Sequence, residues 1–284
     1  MSESAIQDVI CGIGFPVGGN PTQFLLERSF ASAGLDTRFM TFEVVPERMR
    51  DAVAGMKALN FKGGALLPPH ASLGPLFMDR LADSSKLSQA SNCLVREDHD
   101  WVGHDTIGCG FIKALHMIPE WAASHVVILG AGDVGRSIAA RLAAEGVADL
   151  LILDQDAEAG QGFVTHLNEQ LGRKTRFFPW NETFNVPERV DLLVQATPIG
   201  WRDSQTQLPL QLQHLKPEAC VIDVNYHPPE TWLVREALSR GVLVVNGIEL
   251  LVHQLAVSFQ KWTGLEADIP SIREAAEELS LIHI

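Results

Sequence analysis

Apolar runs alternate with amphipathic stretches along the chain, the pattern of strands and crossover helices in a parallel sheet, and this predicts an α/β protein. Residues 9–15 read as a strand. Asn20 then caps and Pro21 opens a helix that carries Phe24, Leu25 and Phe30 and ends near Gly34. Residues 38–44 repeat the strand, 46–59 give a second helix and 63–67 a third strand, while 90–95 form a short apolar segment before a turn-rich stretch at 96–103. The chain turns helical again through Phe111 and Leu115, and Pro119 parts this half from a second series that begins at His125. Within that series the Gln-rich segment around Gln205, Gln207, Gln211 and Gln213 reads as a surface loop. From Gly247 onward, Ile248, Leu251, Leu255, Phe259 and Trp262 fall at helical spacing, and one more helix covers 268–279.

The strongest local signal is His125-Val-Val-Ile-Leu-Gly-Ala-Gly-Asp-Val-Gly135, a buried strand running into Gly130-x-Gly132-x-x-Gly135. The following helix places Val134, Ile138 and Leu142 on one face, stops at Gly146, and leads to a second strand over 149–153. In that context Gly130 permits the tight turn, Gly132 lets the backbone approach a pyrophosphate, and Gly135 packs helix against strand, so the helix N-terminus meets the negative charge. Gly130, Ala131, Gly132, Asp133, Val134 and Gly135 are therefore candidate cofactor contacts. Asp154 lies 154 − 130 = 24 residues after the first glycine, where a carboxylate accepts the adenosine ribose hydroxyls and repels a 2′-phosphate. No Arg follows to clamp such a phosphate, so NAD is expected in preference to NADP. Asp156 is the better-placed helix cap.

Length and composition narrow the picture further. At about 150 residues per domain, 284 residues suggest about two domains, and 46% apolar content is enough to give each a core. The charge balance, 22 − 35 = −13, repels phosphate backbones and anionic lipid, so the expected partner is a small-molecule substrate, with neither nucleic acid nor membrane, for a monomer or homodimer. No apolar run is long enough to span a bilayer and the first eight residues are acidic and polar, which predicts a cytoplasmic protein. Cys11, Cys93, Cys109 and Cys220 show no C-x-x-C pair, so neither disulfide nor metal site is expected.

Several spaced motifs occur together in order: Phe61-Lys-Gly-Gly64, Asn92 within 90–95, Gly103-His-Asp-Thr-Ile-Gly-Cys-Gly-Phe111, Gly130-Ala-Gly132, Gln195-Ala-Thr-Pro-Ile-Gly200, Asp223-Val-Asn-Tyr-His-Pro228 with Thr231, and Asn246-Gly247 followed by Gln254, Phe259 and Trp262-Thr-Gly264. Over nearly its whole length the chain resembles the shikimate/quinate dehydrogenase family. The resemblance implies a substrate domain from 1–115 plus 247–284, a Rossmann-type NAD-binding domain over 120–246, and an active site in the cleft between them. It further implies cofactor contacts at Ala196, Thr197, Pro198 and Gly247, and substrate contacts at Asn92, Tyr226 and Gln254.

The departures from the family pattern are equally specific. The family's Ser-x-Ser-Pro is replaced by the shorter Pro16-Val-Gly-Gly-Asn-Pro21, its Asn-Val-Thr-x-Pro-x-Lys aligns with residues 65–71, and its Asn-Thr-Asp-Gly aligns with 105–108. Ala71 thus stands at the catalytic lysine and Ile107 at the catalytic aspartate. Hydride exchange with a carbinol still needs a group that moves the hydroxyl proton, and His70 with Asp105 as its orienting carboxylate is the candidate pair. The expected activity is NAD-dependent hydride transfer with a cyclic hydroxy or oxo compound other than shikimate. The alternatives are a non-catalytic NAD-binding or ligand-sensing homologue, an ordinary shikimate dehydrogenase, and a methylene-tetrahydrofolate dehydrogenase-like enzyme.

Overall fold

The computed structural model describes residues 7–118 and 124–282; the acidic N-terminal segment as far as Ile6, and Pro119, lie outside the described residues. The chain divides into two compact units, one running to Thr106 and resuming at Val252, the other covering Ile107–Leu251.

The first unit contains β1 (Asp8–Gly14), α1 (Thr22–Ser32), β2 (Thr37–Glu43), α2 (Met49–Ala58), β3 (Gly63–Leu66), β4 (Arg80–Leu81), α3 (Asp83–Ser88), β5 (Cys93–Glu97) and β6 (Asp100–His104). Asn20 does cap α1, its Oδ1 accepting from the Thr22 N–H at 3.0 Å, and Gly34 follows the helix at φ +66°. The sheet order is β2-β1-β3-β5-β6-β4, with β1 parallel to β2 and β3 and with β5 antiparallel to β3 and β6. Cys11, Ile13, Leu66, Leu94 and Trp101 from the strands close on Met49, Val53 and Met56 of α2. The stretch 96–103 is not irregular: it is the β5–β6 hairpin, turning at Asp98 with φ +55°. An Asp can take that left-handed conformation without a glycine to mark the turn.

The second unit contains α4 (Ile107–Leu115), β7 (His125–Leu129), α5 (Asp133–Ala144), β8 (Asp149–Asp154), α6 (Ala157–Leu171), β9 (Arg176–Pro179), β10 (Phe184–Asn185), β11 (Leu192–Gln195), β12 (Leu210–Gln211), β13 (Cys220–Asp223), α7 (Trp232–Ser239) and β14 (Leu243–Val245). Its main sheet is wholly parallel in the order β14-β13-β11-β7-β8-β9, the doubly wound Rossmann arrangement. Strand order reverses between β7 and β11, and in such sheets ligands bind beyond the carboxyl ends of the strands at that point. α4 groups with this unit because Gly108 lets it close on α5; a Cβ there would meet the Ser137 carbonyl oxygen at 2.4 Å. The Gln-rich segment is an exposed loop, as expected for its glutamines, but it contains the two-residue strand β12 and contributes leucines to the core. Leu208, Leu210 and Leu212 alternate with exposed residues and enter the core, and β12 pairs in parallel with β10. Gln207, Gln211 and Gln213 alternate with these leucines and face outward, and Gln211 alone lies within β12.

α8 (Gly247–Thr263) and α9 (Ile269–Ile282) complete the chain. In the first unit Phe259 of α8 stacks on Phe30 of α1 with ring centres 5.4 Å apart, and the Trp262 Nε1–H donates to the Leu94 carbonyl at 2.9 Å. Among the described residues no helix is long and apolar enough to cross a membrane. All four cysteines are free thiols, and burial pushes Cys11, Cys93 and Cys220 up to about 12.

Candidate functional site

The glycine loop sits at the switch point, between the carboxyl end of β7 and the head of α5. Gly130 has φ +102°, and a Cβ on it would meet the Ala196 carbonyl oxygen at 2.9 Å, so the β7 and β11 loops touch through a position only glycine fits comfortably. A Cβ on Gly135 would lie 2.0 Å from the Gly130 carbonyl oxygen, which presses the first turn of α5 onto the loop. Gly132 differs from both: a Cβ there would meet nothing within 4 Å. The opening amides of a helix have no partner within it, and its dipole adds positive potential at that end. Gly132, Asp133 and Val134 thus form a helix head with open space before it, a fit for a pyrophosphate.

Asp154, at the end of β8, accepts from the Ala131 N–H at 2.6 Å through Oδ2 and from the Asp156 N–H at 2.9 Å through Oδ1. Its carboxylate is therefore fixed against the glycine loop. Asp156 is the cap of α6, accepting from the Ala159 N–H at 2.9 Å. The two carboxylates have separate tasks.

The loop from β11 is held by a residue to which the sequence reading gave no task. Gln195 is fully buried; its Nε2 donates to Thr197 Oγ1 and to the Ile199 carbonyl, both at 2.9 Å, and its Oε1 accepts from the Thr197 N–H at 3.1 Å. Asn225 Nδ2 donates to the same Ile199 carbonyl at 3.1 Å, while its N–H donates to Asp223 Oδ1 at 3.0 Å. Asp223 Oδ2 accepts from Thr231 Oγ1 at 2.7 Å, and Thr231 caps α7. Burial outweighs these bonds and pushes the Asp223 carboxyl up to about 6. The signal available in the sequence is a Gln at the end of a buried strand, two residues before Thr-Pro. Gly247 lets α8 begin against β13's exit, since a Cβ would lie 2.3 Å from the Val224 carbonyl oxygen.

In the first unit the ends of β1, β3 and β6 and the start of β5 form one rim. Phe15 N–H donates to the Pro68 carbonyl at 3.1 Å, Leu66 N–H to that of Asn92 at 2.9 Å, and Asn92 N–H to that of His104 at 3.0 Å. His70 is fully buried there, with Nε2 2.6 Å from the Val44 carbonyl oxygen. A carbonyl can only accept, so Nε2 carries the proton and the neutral ring's lone pair is on Nδ1, which has no hydrogen-bond partner among the described residues. The expected His70–Asp105 pair is corrected accordingly. The turn closed by His70 N–H on the Leu67 carbonyl at 3.0 Å aims the ring at the end of β2, and Val44 orients it. Asp105 is buried, its own N–H donating to Ser84 Oγ at 3.1 Å.

Asn92 turns its side chain to Thr106, accepting from the N–H at 2.7 Å and donating to Oγ1 at 2.9 Å; Thr106 Oγ1 lies 2.9 Å from Ser258 Oγ on α8. Gln254 is half-buried one turn earlier on α8. Tyr226, in the second unit, meets Trp201 edge-on with centroids 4.7 Å apart, and burial pushes its phenol up to about 12, so the hydroxyl remains a donor at neutral pH.

No protein-family profile matches the chain. It is 32% identical to a protein named shikimate dehydrogenase (NADP(+)) from Methanopyrus kandleri, with 98% of each chain aligned, and 30% identical to one of the same name from Desulforamulus reducens, with 93% of each aligned. The chain belongs to the shikimate/quinate dehydrogenase family. That is a family of oxidoreductases that act on CH–OH groups with a nicotinamide dinucleotide. Among solved structures, the ligand-free 5-ketofructose reductase of Gluconobacter sp. strain CHM43 is 30% identical with a TM-score of 0.90, over 97% of this chain and all of that one. Ala71 is buried, its carbonyl accepting from the Ser91 N–H at 2.8 Å, and Ile107 is buried at the start of α4. Neither position carries an ionisable group.

Proposed function

We propose that the protein is an NAD-preferring oxidoreductase that interconverts hydroxyl and carbonyl on a cyclic hydroxy or oxo compound other than shikimate. The observation that carries the cofactor choice is the placement of Asp154, fixed by Ala131 and Asp156 at the rim of the glycine loop, with no cation along the chain until Arg173. The relatives carry NADP(+) in their names; a carboxylate in this position favours the two ribose hydroxyls and repels a 2′-phosphate. Gly130 to Gly135 would hold the pyrophosphate and Asp154 the ribose, with Ala196, Thr197, Pro198 and Gly247 completing the contacts. The bound dinucleotide supplies the hydride acceptor or donor.

The proton of the reacting hydroxyl goes to His70 Nδ1 in this reading. Nε2–H is committed to Val44, so the ring is held in the tautomer that leaves Nδ1 as the base. Asn92, Tyr226 and Gln254 are the polar contacts proposed for substrate. Calorimetry with NAD and NADP tests the cofactor choice: Asp154→Asn should narrow the wild-type preference, and equal dissociation constants in the wild type overturn it. Shikimate oxidation should run about 10²–10⁴-fold below the rate of a lysine–aspartate enzyme; an ordinary rate overturns the substrate reading. With a turned-over substrate, His70→Gln should lower kcat with NAD binding unchanged, and an unaltered kcat removes His70 from the chemistry.

A further inference from the structure

β2 is the outermost strand of the first unit's sheet, so one row of its backbone groups has no strand beside it. The Val44 N–H turns inward to the Gly14 carbonyl at 2.9 Å, and by alternation those of Phe39 and Thr41 turn outward. Both outward groups are occupied by side chains of α1: Glu27 Oε1 accepts from the Phe39 N–H at 2.5 Å and Gln23 Oε1 from the Thr41 N–H at 3.0 Å. Four residues of helix rise about 6 Å and two residues of strand about 6.6 Å, so side chains at i and i+4 of a helix running back along a strand meet N–H groups at i and i+2. Arg38, whose side chain leaves the other face of β2, reaches over with Nη1 to Glu27 Oε2 at 3.2 Å and closes the edge. Met40 and Phe42 share that other face with Cys11 and Ile13, their register partners in β1. There α2 packs on the β1 pair and leaves Met40 45% and Phe42 41% exposed.

We propose that Gln23 and Glu27 are an edge lock, which keeps β2 from pairing with the β2 of a second copy of this chain. The strand is suited to such a two-fold contact, in which the same surface is used on both sides. An antiparallel copy centred on Met40 would set Phe39 opposite Thr41 of the copy, so the two N–H groups now held by α1 are those that would build the ladder. On the exposed face it would set Met40 against Met40 of the copy and Arg38 against Phe42 of the copy, covering both apolar side chains. β2 reads Thr-Arg-Phe-Met-Thr-Phe-Glu and carries neither of the usual guards of an edge strand, a proline or a lysine. The guard is supplied from α1 instead: an amide and a carboxylate stand where the carbonyls of a neighbouring strand would be.

The test is light scattering of the full chain across a concentration series. Wild type and Glu27→Gln, which keeps the acceptor, should hold one mass throughout, whereas Gln23→Ala with Glu27→Ala should rise toward twice that mass as concentration increases. Alanine is a good helix former, so α1 should persist in the double variant. Adding Met40→Lys sets two like charges opposite each other across the two-fold and should return the double variant to the wild-type mass. Hydrogen exchange reads the lock in the wild type itself: the Phe39 and Thr41 amides, though on an edge, should exchange about tenfold more slowly than unpartnered amides, at a rate independent of concentration. If the double variant fails to fold, that exchange measurement decides. An unchanged mass in the double variant, association that Met40→Lys leaves intact, a wild type that Met40→Lys dissociates, or Phe39 and Thr41 amides that exchange as freely as unpartnered ones overturns the proposal.

Discussion

The glycine loop at the head of α5 and the rim around Asn92 treat their polar atoms in opposite ways. At Gly132 the missing side chain leaves open space in front of helix amides that have no partner within the helix. At the rim, Asn92 turns both ends of its amide to Thr106, and Thr106 passes the connection to Ser258. The first region leaves room at Gly132 for a ligand. The second uses them to fix Thr106, just beyond β6, to Ser258 of α8. Ala71 and Ile107 beside the rim are buried and carry no charge, whereas the loop holds the Asp154 carboxylate against its own backbone.

The loop is the more brittle of the two, and Gly135→Val tests this most severely. With even a Cβ 2.0 Å from the Gly130 carbonyl oxygen, α5 must move away from the loop. A loss of about 3 kcal/mol or more is expected from such overpacking, together with loss of dinucleotide binding. Thermal unfolding and calorimetry read the two effects. Wild-type affinity in that variant would mean the close approach is not needed for the cofactor site.

Asp223 offers a pH test of the same unit. Its folded carboxyl titrates at about 6, above the ordinary value of 3.8, because burial disfavours the charge. The folded state therefore binds the proton more tightly than the unfolded chain. Stability from this group should fall as pH rises from about 4 through about 6 and then level off, by on the order of 3 kcal/mol. Other carboxylates titrate in the same range, so the measurement is the difference between wild type and Asp223→Asn across pH 4 to 7. A flat difference would show that the buried carboxyl is not the cause.

The sequence made the loop readable because each of its roles belongs to a glycine or to a carboxylate at fixed spacing. Gly130, Gly135 and Asp154 act through backbone approach and register, which spacing encodes directly. Rim chemistry depends on which way a side chain turns. Nothing in Pro68-Pro69-His70 states that the ring reaches back to Val44 instead of meeting Asp105. The β5–β6 hairpin escaped for a similar reason, since Asp98 takes the left-handed turn position without the glycine that advertises one. Likewise the glutamines at 205–213 drew attention from the alternating leucines, of which Leu210 opens the two-residue strand β12.

Asn92→Leu tests the rim. It removes the acceptor of the Thr106 N–H at 2.7 Å and the donor to Thr106 Oγ1, both buried. Leaving that N–H unpaired should cost about 1.5 kcal/mol, read as a lower Tm, with NAD affinity unchanged. A simultaneous loss of NAD binding would break the separation between a rim that holds the fold and a loop that holds the cofactor.

The smallest effect tests the division of labour between two neighbouring carboxylates. Asp156 accepts from the Ala159 N–H and caps α6, whereas Asp154 is held at the glycine loop by the Ala131 N–H. Asp156→Ala should therefore cost about 1 kcal/mol of stability, the ordinary loss of an N-cap. Its N–H still donates to Asp154 Oδ1, because that bond uses the backbone. The ratio of NAD to NADP affinity should accordingly stay at the wild-type value in Asp156→Ala and change only in Asp154→Asn. If Asp156→Ala moved the ratio as far as Asp154→Asn did, the selectivity would arise from the summed negative potential at the end of β8, and Asp154 would lose its particular role at the ribose.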